Sequence, residues 1–329
     1  MNPLLADLHE KARAVLDPVH YDFFAGGVGD EVVLAENEAA FRRLALLPRV
    51  LRGDVRDFGF PVLISPTAFH RLAHPEGEIA TARALNGTVL VSSMASTVPI
   101  ADVVAAATGP VWFQLYVQPD AEVTEALVRR AEQAGCAALV ITVDSPVFGR
   151  HRRDIAHGFH DLPSGLAAEN MRDLGTPGLR KIEMAAFSWD DVERICSLTS
   201  LPLWLKGVLH PSDARLAAER GLGIFVSNHG GRQLDLVPAA LDALPAVVEA
   251  VAGRIPVVLD GGVRSGGDVA LALALGASAV GIGRPVLWGL AADGSAGVRT
   301  VLDVLRDEFE HVLAMCGGDL TRDMVVVRC

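Results

Sequence analysis

The 329-residue chain is poor in cysteine, aromatic residues and basic charge. Its four cysteines form no CxxC pair, so neither a disulfide framework nor a zinc site is expected. Lysine and arginine number 29 against 40 acidic residues, which gives a net charge of −11. This acidic balance argues against a nucleic-acid partner, because such a partner requires a basic surface. The four cysteines are Cys136, Cys196, Cys316 and Cys329.

Long apolar runs are also missing. The most apolar stretch, Val269–Ile282, is too short to cross a bilayer and is interrupted by Gly276. The first residues carry acidic side chains and lack the apolar core of a secretory signal. We therefore expect a reduced, cytoplasmic protein with no membrane partner.

Short β-branched apolar runs alternate with longer amphipathic stretches. Strands that are apolar on both faces and separated by helices imply a parallel sheet covered by helices. The runs that predict strands are Pro61–Ser65, Thr88–Ser92, Val111–Tyr116, Ala138–Val143, Pro202–Lys206, Gly223–Ser227, Pro256–Asp260 and Ala279–Gly283. The helical stretches between them include Pro75–Leu85, Asp120–Ala134, Ser212–Arg220, Pro238–Val251 and Gly267–Leu275.

Eight such units predict an α/β protein built as a closed (β/α)8 TIM barrel, since an open doubly wound sheet usually has fewer strands. An open dinucleotide-binding sheet would also carry a glycine-rich turn after its first strand, where this chain has Pro66-Thr67-Ala68. We expect one domain over residues 1–329. It would comprise an N-terminal helical cap over about 1–48, the barrel over about 58–292 and a C-terminal helix over about 295–315.

Polar residues collect at the carboxyl ends of the predicted strands, where the active sites of barrels lie. Each residue alone has an ordinary structural explanation, but their convergence on one mouth predicts an active site. They are Ser65, Ser92, Gln114, Tyr116, Thr142, Asp144, Lys206, Ser227, His229, Arg232, Asp260, Arg264, Gly283 and Arg284.

Two turns on neighbouring strands combine glycine with arginine. DGGVRSG contains Gly262 and Arg264, and IGRP contains Gly283 and Arg284 ahead of a helix that begins at Pro285. Barrels often hold a phosphate group at this place. One such turn would be read as a tight turn, whereas two favour a phosphate site. A non-redox barrel that binds a phosphorylated substrate is one alternative.

Lys206 and His229 point to chemistry beside this phosphate site. A buried lysine is rare unless it is paired, so Lys206 is expected to meet an electron-rich cofactor ring, an anion or a structural carboxylate. His229 follows the sixth strand, with Arg232 three residues further on and Asp144 at another strand end. This set suits proton abstraction from a substrate whose carboxylate is bound by an arginine.

Long blocks of the sequence carry a family resemblance. The blocks are AENEAAFRRLALLPRVL, SPTAFHRLAHPEGEIATARA, FQLYV, ITVDSP, LKGV, SNHGGRQLD, LDGGVRSGGDV and ALALGASAVGIGRP. They resemble the FMN-dependent α-hydroxy acid oxidases and dehydrogenases, which include glycolate oxidase, lactate oxidase and mandelate dehydrogenase. The resemblance runs from about Tyr21 to the C-terminal helix. The order SNHGGRQLD, DGGVRSG, IGRP is highly specific.

The resemblance implies FMN as the cofactor. Lys206 would stabilise the negative charge that develops on the reduced flavin. The flavin ring and ribityl chain would be lined by Ser65, Pro66, Thr67, Ala68, Ser92, Gln114, Thr142 and Ser227. The phosphate and the ribityl chain would be held by Asp260, Gly262, Arg264, Gly283 and Arg284.

The resemblance also implies the reaction, which is oxidation of a 2-hydroxy acid or a related α-hydroxy carbonyl compound to the 2-oxo product. His229 would be the base, with Asp144 stabilising its imidazolium. Arg232 would bind the substrate carboxylate, and Tyr116 would hydrogen-bond near the reacting oxygen. The acceptor would be O2 or an electron carrier, and a monooxygenase on the same scaffold is an alternative. No metal is expected, and a homotetramer is implied.

Three positions on the substrate side depart from the family pattern. Phe23 stands where the family has a phenol that bonds the carboxylate, and His151 stands where it has an arginine. Met94 replaces an aromatic residue of the substrate pocket. Losing a phenol and a guanidinium leaves Arg232 as the main carboxylate anchor, and each such contact is worth roughly 1.5–3 kcal/mol. The sequence therefore predicts a bulky or otherwise atypical substrate.

Overall fold

The computed structural model describes residues 2–51, 58–174 and 181–328. Cys329, one of the four scattered cysteines, lies outside these residues. Within them, Cys136, Cys196 and Cys316 are free thiols. No helix of the described residues is both long and apolar enough to cross a membrane.

The predicted barrel is confirmed. Eight parallel strands close on themselves in sequence order, because the last strand pairs with the first. The strands are β2 (Val62–Ile64), β3 (Val89–Ser93), β4 (Val111–Leu115), β5 (Ala138–Thr142), β6 (Leu203–Val208), β7 (Gly223–Val226), β8 (Val257–Asp260) and β9 (Ala279–Ile282). Each lies within three residues of a predicted run at both ends.

Continuous apolar runs form these strands because both faces of the sheet are covered. Every residue of β5 is buried, as is every residue of β2, β7 and β8. Side chains from five of the eight strands form an apolar cluster of their own, as expected for the packed interior of a barrel. That cluster consists of Leu63, Val91, Val140, Phe225 and Val258.

Helices cover the outside of the barrel, and an N-terminal helical cap packs beside the mouth formed by the carboxyl ends of the strands. The cap contains α1 (Pro3–Val15), α2 (Pro18–Ala25) and α3 (Val32–Arg42). The remaining helices are α4 (Glu78–Arg83), α5 (Ile100–Ala106), α6 (Ala121–Ala134), α7 (Arg152–His157), α8 (Trp189–Leu198), α9 (Pro211–Glu219), α10 (Ala240–Val251), α11 (Gly266–Ala274) and α12 (Arg284–Met315).

The helix α12 is interrupted. Asp293 and Gly294 have non-helical backbone angles, so residues 295–315 form a separate segment that matches the predicted C-terminal helix. The prediction missed a small ribbon in which β1 (Leu44–Leu46) pairs antiparallel with β10 (Val325–Val327). Three residues are too few for an alternating pattern to be recognised, and the pairing joins two segments that are far apart in the sequence.

The pairing register of the strands decides which residues lie at the same level along the barrel axis. Thr142 pairs with Lys206, and Asp260 pairs with Gly281. The polar residues predicted at strand ends therefore reach the same rim of the barrel, as the parallel arrangement requires.

Candidate active site

His229 follows β7 in a left-handed backbone conformation, with φ of 60°. This conformation is uncommon for a residue with a side chain and is found where the surrounding structure enforces it. The His229 amide donates to Ser227 Oγ at 3.1 Å, which fixes the turn. The backbone thus places the imidazole over the barrel mouth.

The imidazole lies between a carboxylate and a phenol. His229 Nδ1 is 2.9 Å from Asp144 Oδ1, and Nε2 is 3.3 Å from the Tyr116 hydroxyl. The carboxylate can only accept, so Nδ1 carries a proton and Nε2 has its lone pair available. Nε2 faces the cavity with Tyr116, and this is the arrangement of a general base held by an acid.

The two groups that flank the His229 ring have shifted pKa values. Burial alone would raise the pKa of Asp144, but attraction and hydrogen bonding from His229 lower it, with a further contribution from Lys206. Burial, then the charge of Asp144, raises the pKa of Tyr116 above its usual range. Asp144 is therefore an anion and Tyr116 a neutral phenol at neutral pH.

Lys206 lies at the floor of the cavity and is 3% exposed. Its Nζ donates to Ser227 Oγ at 3.1 Å and is 3.4 Å from Asp260 Oδ2. The structural carboxylate considered for Lys206 is thus present. The ammonium also lines the cavity, so the ion pair and a role beside a cofactor ring are compatible.

The cavity at the barrel mouth has a volume of roughly 1030 Å³ and brings most of the predicted site residues together. It is lined by Ser65, Pro66, Thr67, Ala68, Tyr116, Lys206, His229, Arg232, Asp260, Gly262, Arg264, Gly283 and Arg284, together with Phe23 and His151. Six predicted residues are not in its lining: Ser92, Met94, Gln114, Thr142, Asp144 and Ser227.

Gln114 and Thr142 form a polar chain behind the cavity wall. Gln114 Nε2 donates to Thr142 Oγ1 at 3.0 Å, and its Oε1 accepts from Ser93 Oγ at 3.0 Å. Ser93, which follows the predicted flavin contact Ser92 at the same strand end, lines the cavity and ends this chain. Gln114 and Thr142 are therefore connected to the cavity through Ser93, whose hydroxyl they help to orient.

FMN fits these residues. Asp260 Oδ1 belongs to a residue of the cavity lining and is a buried polar atom that has no hydrogen-bond partner in the described structure. Such atoms are rare in folded proteins and point to a missing polar ligand. At Gly281 a Cβ would lie 2.2 Å from Ser65 Oγ, so only glycine leaves the groove beside Ser65 open. When bound, FMN supplies a two-electron acceptor.

The two arginines predicted to hold the phosphate both have partners within the protein. Arg264 pairs with Glu38 of the cap at 2.8 Å. Arg284 donates to the carbonyl groups of Phe24, Gly230 and Gly26 at 2.7–3.0 Å. These guanidinium groups tie the barrel to the cap and also line the cavity, so the prediction that Arg264 and Arg284 hold the phosphate stays a prediction.

Arg284 nevertheless favours an anion nearby. Burial, followed by repulsion from Arg232 and Arg264, lowers the pKa of Arg284 to about 9. Its hydrogen bonds go to carbonyl oxygens, which carry no full charge. A phosphate in the adjoining part of the cavity would offset this concentration of positive charge.

One nitrogen of the Arg232 guanidinium is held by the cap. Its Nη1 donates to the carbonyls of Phe23 and Gly26 at 2.7 and 3.0 Å, and its Cζ lies 5.1 Å from the centre of the Phe23 ring. Burial lowers the pKa of Arg232, while Asp154 opposes the shift. The other nitrogens of the guanidinium remain for a substrate carboxylate.

Two of the three substrate-side predictions change. Both nitrogens of His151 are within hydrogen-bond distance of protein oxygens, so His151 does not present a donor to a substrate carboxylate. Met94 is fully buried, and the neighbouring Ser93 and Ala95 line the cavity instead. The Met94 side chain packs into the core. The position at which the family has an aromatic residue is therefore not part of the cavity wall in this protein. Phe23 faces the cavity as expected.

The sequence reasoning missed most of the apolar wall. Phe23 packs against Phe159 and Phe69, with ring centres 5.4 and 6.1 Å apart. The segment between β5 and β6 supplies further members, and its apolar side chains would have been the signal. The apolar lining includes Phe69, Phe148, Ile155, Phe159, Leu162, Leu166, Ile182 and Met184.

Comparisons with known proteins agree with this site. Residues 12–325 match the family described as FMN-dependent dehydrogenase. Glycolate oxidase 3 of Arabidopsis thaliana is 46% identical, with 95% of this chain and 92% of that protein covered. A 2-hydroxyacid oxidase of Dictyostelium discoideum is 42% identical over 95% and 86% of the two chains. A mandelate oxidase structure with (S)-4-hydroxymandelic acid superposes with a TM-score of 0.89 at 41% identity, covering 98% of each chain.

No group of three or more metal-ligating side chains occurs within the described part of the chain. Membership of one family accounts for the sequence blocks, for the barrel and for the residues at its mouth. The chain belongs to the family of FMN-dependent dehydrogenases and is an oxidoreductase that uses FMN and acts on a CH–OH donor.

Proposed function

We propose that the protein oxidises a 2-hydroxy acid with a large apolar side chain to the 2-oxo acid. The observation that carries this proposal is the position of His229 Nε2, which faces a cavity shared by Arg232 and a wall of aromatic side chains. The relatives named glycolate, 2-hydroxyacid and mandelate oxidase support the reaction class.

The residues of this chain have distinct tasks in that reaction. Arg232 binds the substrate carboxylate and so fixes the α-carbon near the base. His229 accepts a proton at Nε2, and Asp144 stabilises the resulting imidazolium through Nδ1. Tyr116 hydrogen-bonds the reacting oxygen, and Lys206 supplies a positive charge at the cavity floor. FMN held beside Lys206 would supply the acceptor for the two electrons of the oxidation.

The apolar wall supports the bulky substrate. Phe23 replaces the phenol of the family pattern, and its ring contacts Phe69 and Phe159 instead of offering a hydrogen bond. Burying an apolar side chain is worth about 25 cal/mol per Å² of surface. A large side chain thereby offsets the weaker grip on the carboxylate, and a small acid such as glycolate gains nothing from this wall.

The acceptor in this proposal is O2, because the similar proteins are named oxidases. A protein electron carrier and retention of the oxygenated product by a monooxygenase are the competing outcomes. Reoxidation of the reduced protein in air, followed by product analysis, separates all three.

The protein is also proposed to be a cytoplasmic homotetramer. The three described cysteines are free thiols, as expected in a reducing compartment. Leu47, Val50 and Val327 at the β1–β10 ribbon expose 61%, 75% and 71% of their surface, so they offer an apolar face for association. Light scattering of the purified protein and cell fractionation test the two statements.

Anaerobic reduction of the bound flavin tests the proposed function. The substrates compared are glycolate, lactate, mandelate, 2-hydroxyoctanoate and their methyl esters. We expect the flavin absorbance to bleach most rapidly with the bulky acids. Glycolate or lactate with the highest kcat/KM would overturn the bulky-substrate proposal, and a preparation that binds no FMN would overturn the reaction class.

A further inference from the structure

His151 lies between two oxygen atoms that belong to different elements. Its Nε2 is 2.8 Å from the backbone carbonyl oxygen of Arg232, and its Nδ1 is 3.0 Å from Asp154 Oδ2. The side chains of His151 and Asp154 are only 19% and 13% exposed. His151 thus connects the start of α7 to the loop that carries the carboxylate-binding arginine.

These two contacts require two protons on the ring. A backbone carbonyl can only accept a hydrogen bond, and so can a carboxylate. Both nitrogens of His151 must therefore donate, and only the imidazolium does so. His229 is different, because the Tyr116 hydroxyl at its Nε2 can donate as well as accept.

A neutral His151 would lose one of the two contacts. If Nδ1 lost its proton, a lone pair would face the Asp154 carboxylate. If Nε2 lost its proton, a lone pair would face the Arg232 carbonyl. Either change removes a charge-assisted contact from a largely dry place, where such contacts are strong.

The contact with Arg232 is built into the backbone. At Gly149 a Cβ would lie 2.1 Å from the Arg232 carbonyl oxygen, so glycine lets the two loops approach. The other end of Arg232 is held by the carbonyls of Phe23 and Gly26. His151 fixes the main chain of Arg232, and the cap fixes its guanidinium.

We propose that His151 is a positioning residue that makes carboxylate binding by Arg232 depend on a proton. Protonated His151 holds Arg232 in place and adds a positive charge to the cavity wall. Deprotonation loosens this arrangement, so anionic ligands bind more weakly as the pH rises. The inference rests on the proposed function, in which Arg232 receives the substrate carboxylate.

The charges facing His151 come from more than one element. Asp154 belongs to its own helix, and Arg232 comes from the loop after β7. Asp154 also acts electrostatically on Arg232. Other titratable groups in the same cavity wall are Arg150, His160, Asp161, Lys181 and His229.

Ligand binding to the FMN-loaded protein tests this inference without turnover. The probes are phenylglyoxylate, which is a 2-oxo acid, and its methyl ester, and the readout is the change in flavin absorbance. We expect the Kd of phenylglyoxylate to rise about tenfold between pH 6 and pH 9 in the wild type. The Kd of the ester, which has no carboxylate charge, stays constant.

Two variants separate His151 from His229, whose protonation also affects anion binding. In Asp154→Asn the amide donates to a neutral Nδ1, so both contacts persist without the extra proton. In His151→Arg the charge is permanent. Both variants keep His229, and we expect each to retain only the pH dependence due to His229, with a smaller rise in Kd than in the wild type.

The outcomes are distinguishable. Equal pH dependence in the wild type and in both variants would overturn the role of His151 and leave the proposed function standing. An equal rise for the ester would do the same, because the effect would then not concern the carboxylate. Phenylglyoxylate that fails to bind at every pH would overturn the proposed function and this inference with it.

Discussion

Gly207 and Asp144 lie so close together that no side chain fits between them. A Cβ at Gly207 would be 2.5 Å from Asp144 Cγ, and Gly207 has φ of 109°, beyond the range that side chains favour. The strand β6 shifts its register here, between Lys206 and Val208. The glycine of the LKGV block therefore sets the place of the carboxylate that orients His229.

Substitution of Gly207 by alanine should displace Asp144 and reduce catalysis. We expect kcat for flavin reduction to fall by about 100-fold, since small misplacements of catalytic groups cost that much. The measurement is anaerobic stopped-flow reduction of FMN. Gly221→Ala is the matched control, because Gly221 also has positive φ but nothing within 4 Å of an added Cβ. Equal losses in the two variants would mean that backbone strain, and not Asp144, is responsible.

Substitution of Asp144 by asparagine should change the tautomer of the catalytic base, His229. An amide nitrogen facing Nδ1 favours the tautomer with the proton on Nε2, which then cannot accept one. We expect kcat to fall by about 100- to 10,000-fold, as for other acid–histidine pairs. Substrate-dependent bleaching measured by stopped flow gives the rate. A variant with wild-type kcat would show that Asp144 does not orient the base.

The same variant tests an effect of pH on stability. The pKa of Asp144 is below its ordinary value of 3.8 in the folded protein, so Asp144 stabilises the fold above that pH. This contribution is lost as the pH falls through the lower, folded-state pKa. In urea unfolding, the difference between wild type and Asp144→Asn should be largest near pH 7 and shrink below 3.8. A difference that is independent of pH would contradict the assignment.

The barrel and the rim could be read from the sequence because they depend on repetition. Eight apolar runs separated by helices fix the order of the strands, and parallel strands bring their polar ends together. His229, Asp144 and Lys206 could be predicted as site residues because each lies at or just after the carboxyl end of a predicted strand. Local pattern and fold agree at these places.

Other features depend on contacts between distant segments, which a single sequence does not display. Arg264 finds Glu38 and Arg284 finds three carbonyls only after the cap has closed on the barrel. His151 was read as a weak carboxylate ligand because its partner, the Arg232 carbonyl, is 81 residues away. A sequence shows which side chains are present, but it does not show which backbone carbonyl groups they will reach in the folded chain.

Tyr116 should remain a neutral donor throughout the usual assay range. Burial and the charge of Asp144 raise the pKa of Tyr116, so the phenol keeps its proton at pH 10. We expect Tyr116→Phe to lower kcat by about tenfold, the cost of one lost hydrogen bond, without moving any alkaline limb of the pH–rate profile. The measurement is kcat from pH 6 to pH 10 in both proteins. An alkaline limb that disappears in the variant would show that Tyr116 does ionise in this range.

Restoring the phenol at position 23 should change the relative kcat/KM values of small and bulky substrates. In Phe23→Tyr the ring keeps its place beside Arg232, whose Cζ is 5.1 Å from the ring centre, and a hydroxyl is added to the cavity. One extra hydrogen bond to a carboxylate is worth about 1.5 kcal/mol. We therefore expect kcat/KM for glycolate and lactate to rise about tenfold, with little change for bulky acids that already gain from the apolar wall.

The control for this change is Phe69→Tyr. Phe69 lines the same cavity and packs against Phe23 at 6.1 Å between ring centres, but its ring is not stacked with Arg232. A phenol at position 69 adds the same polarity to the wall without a carboxylate partner. Equal gains from Phe69→Tyr would mean that cavity polarity alone governs small substrates. A gain confined to Phe23→Tyr would mean that selection against small acids arises at the contact between position 23 and Arg232.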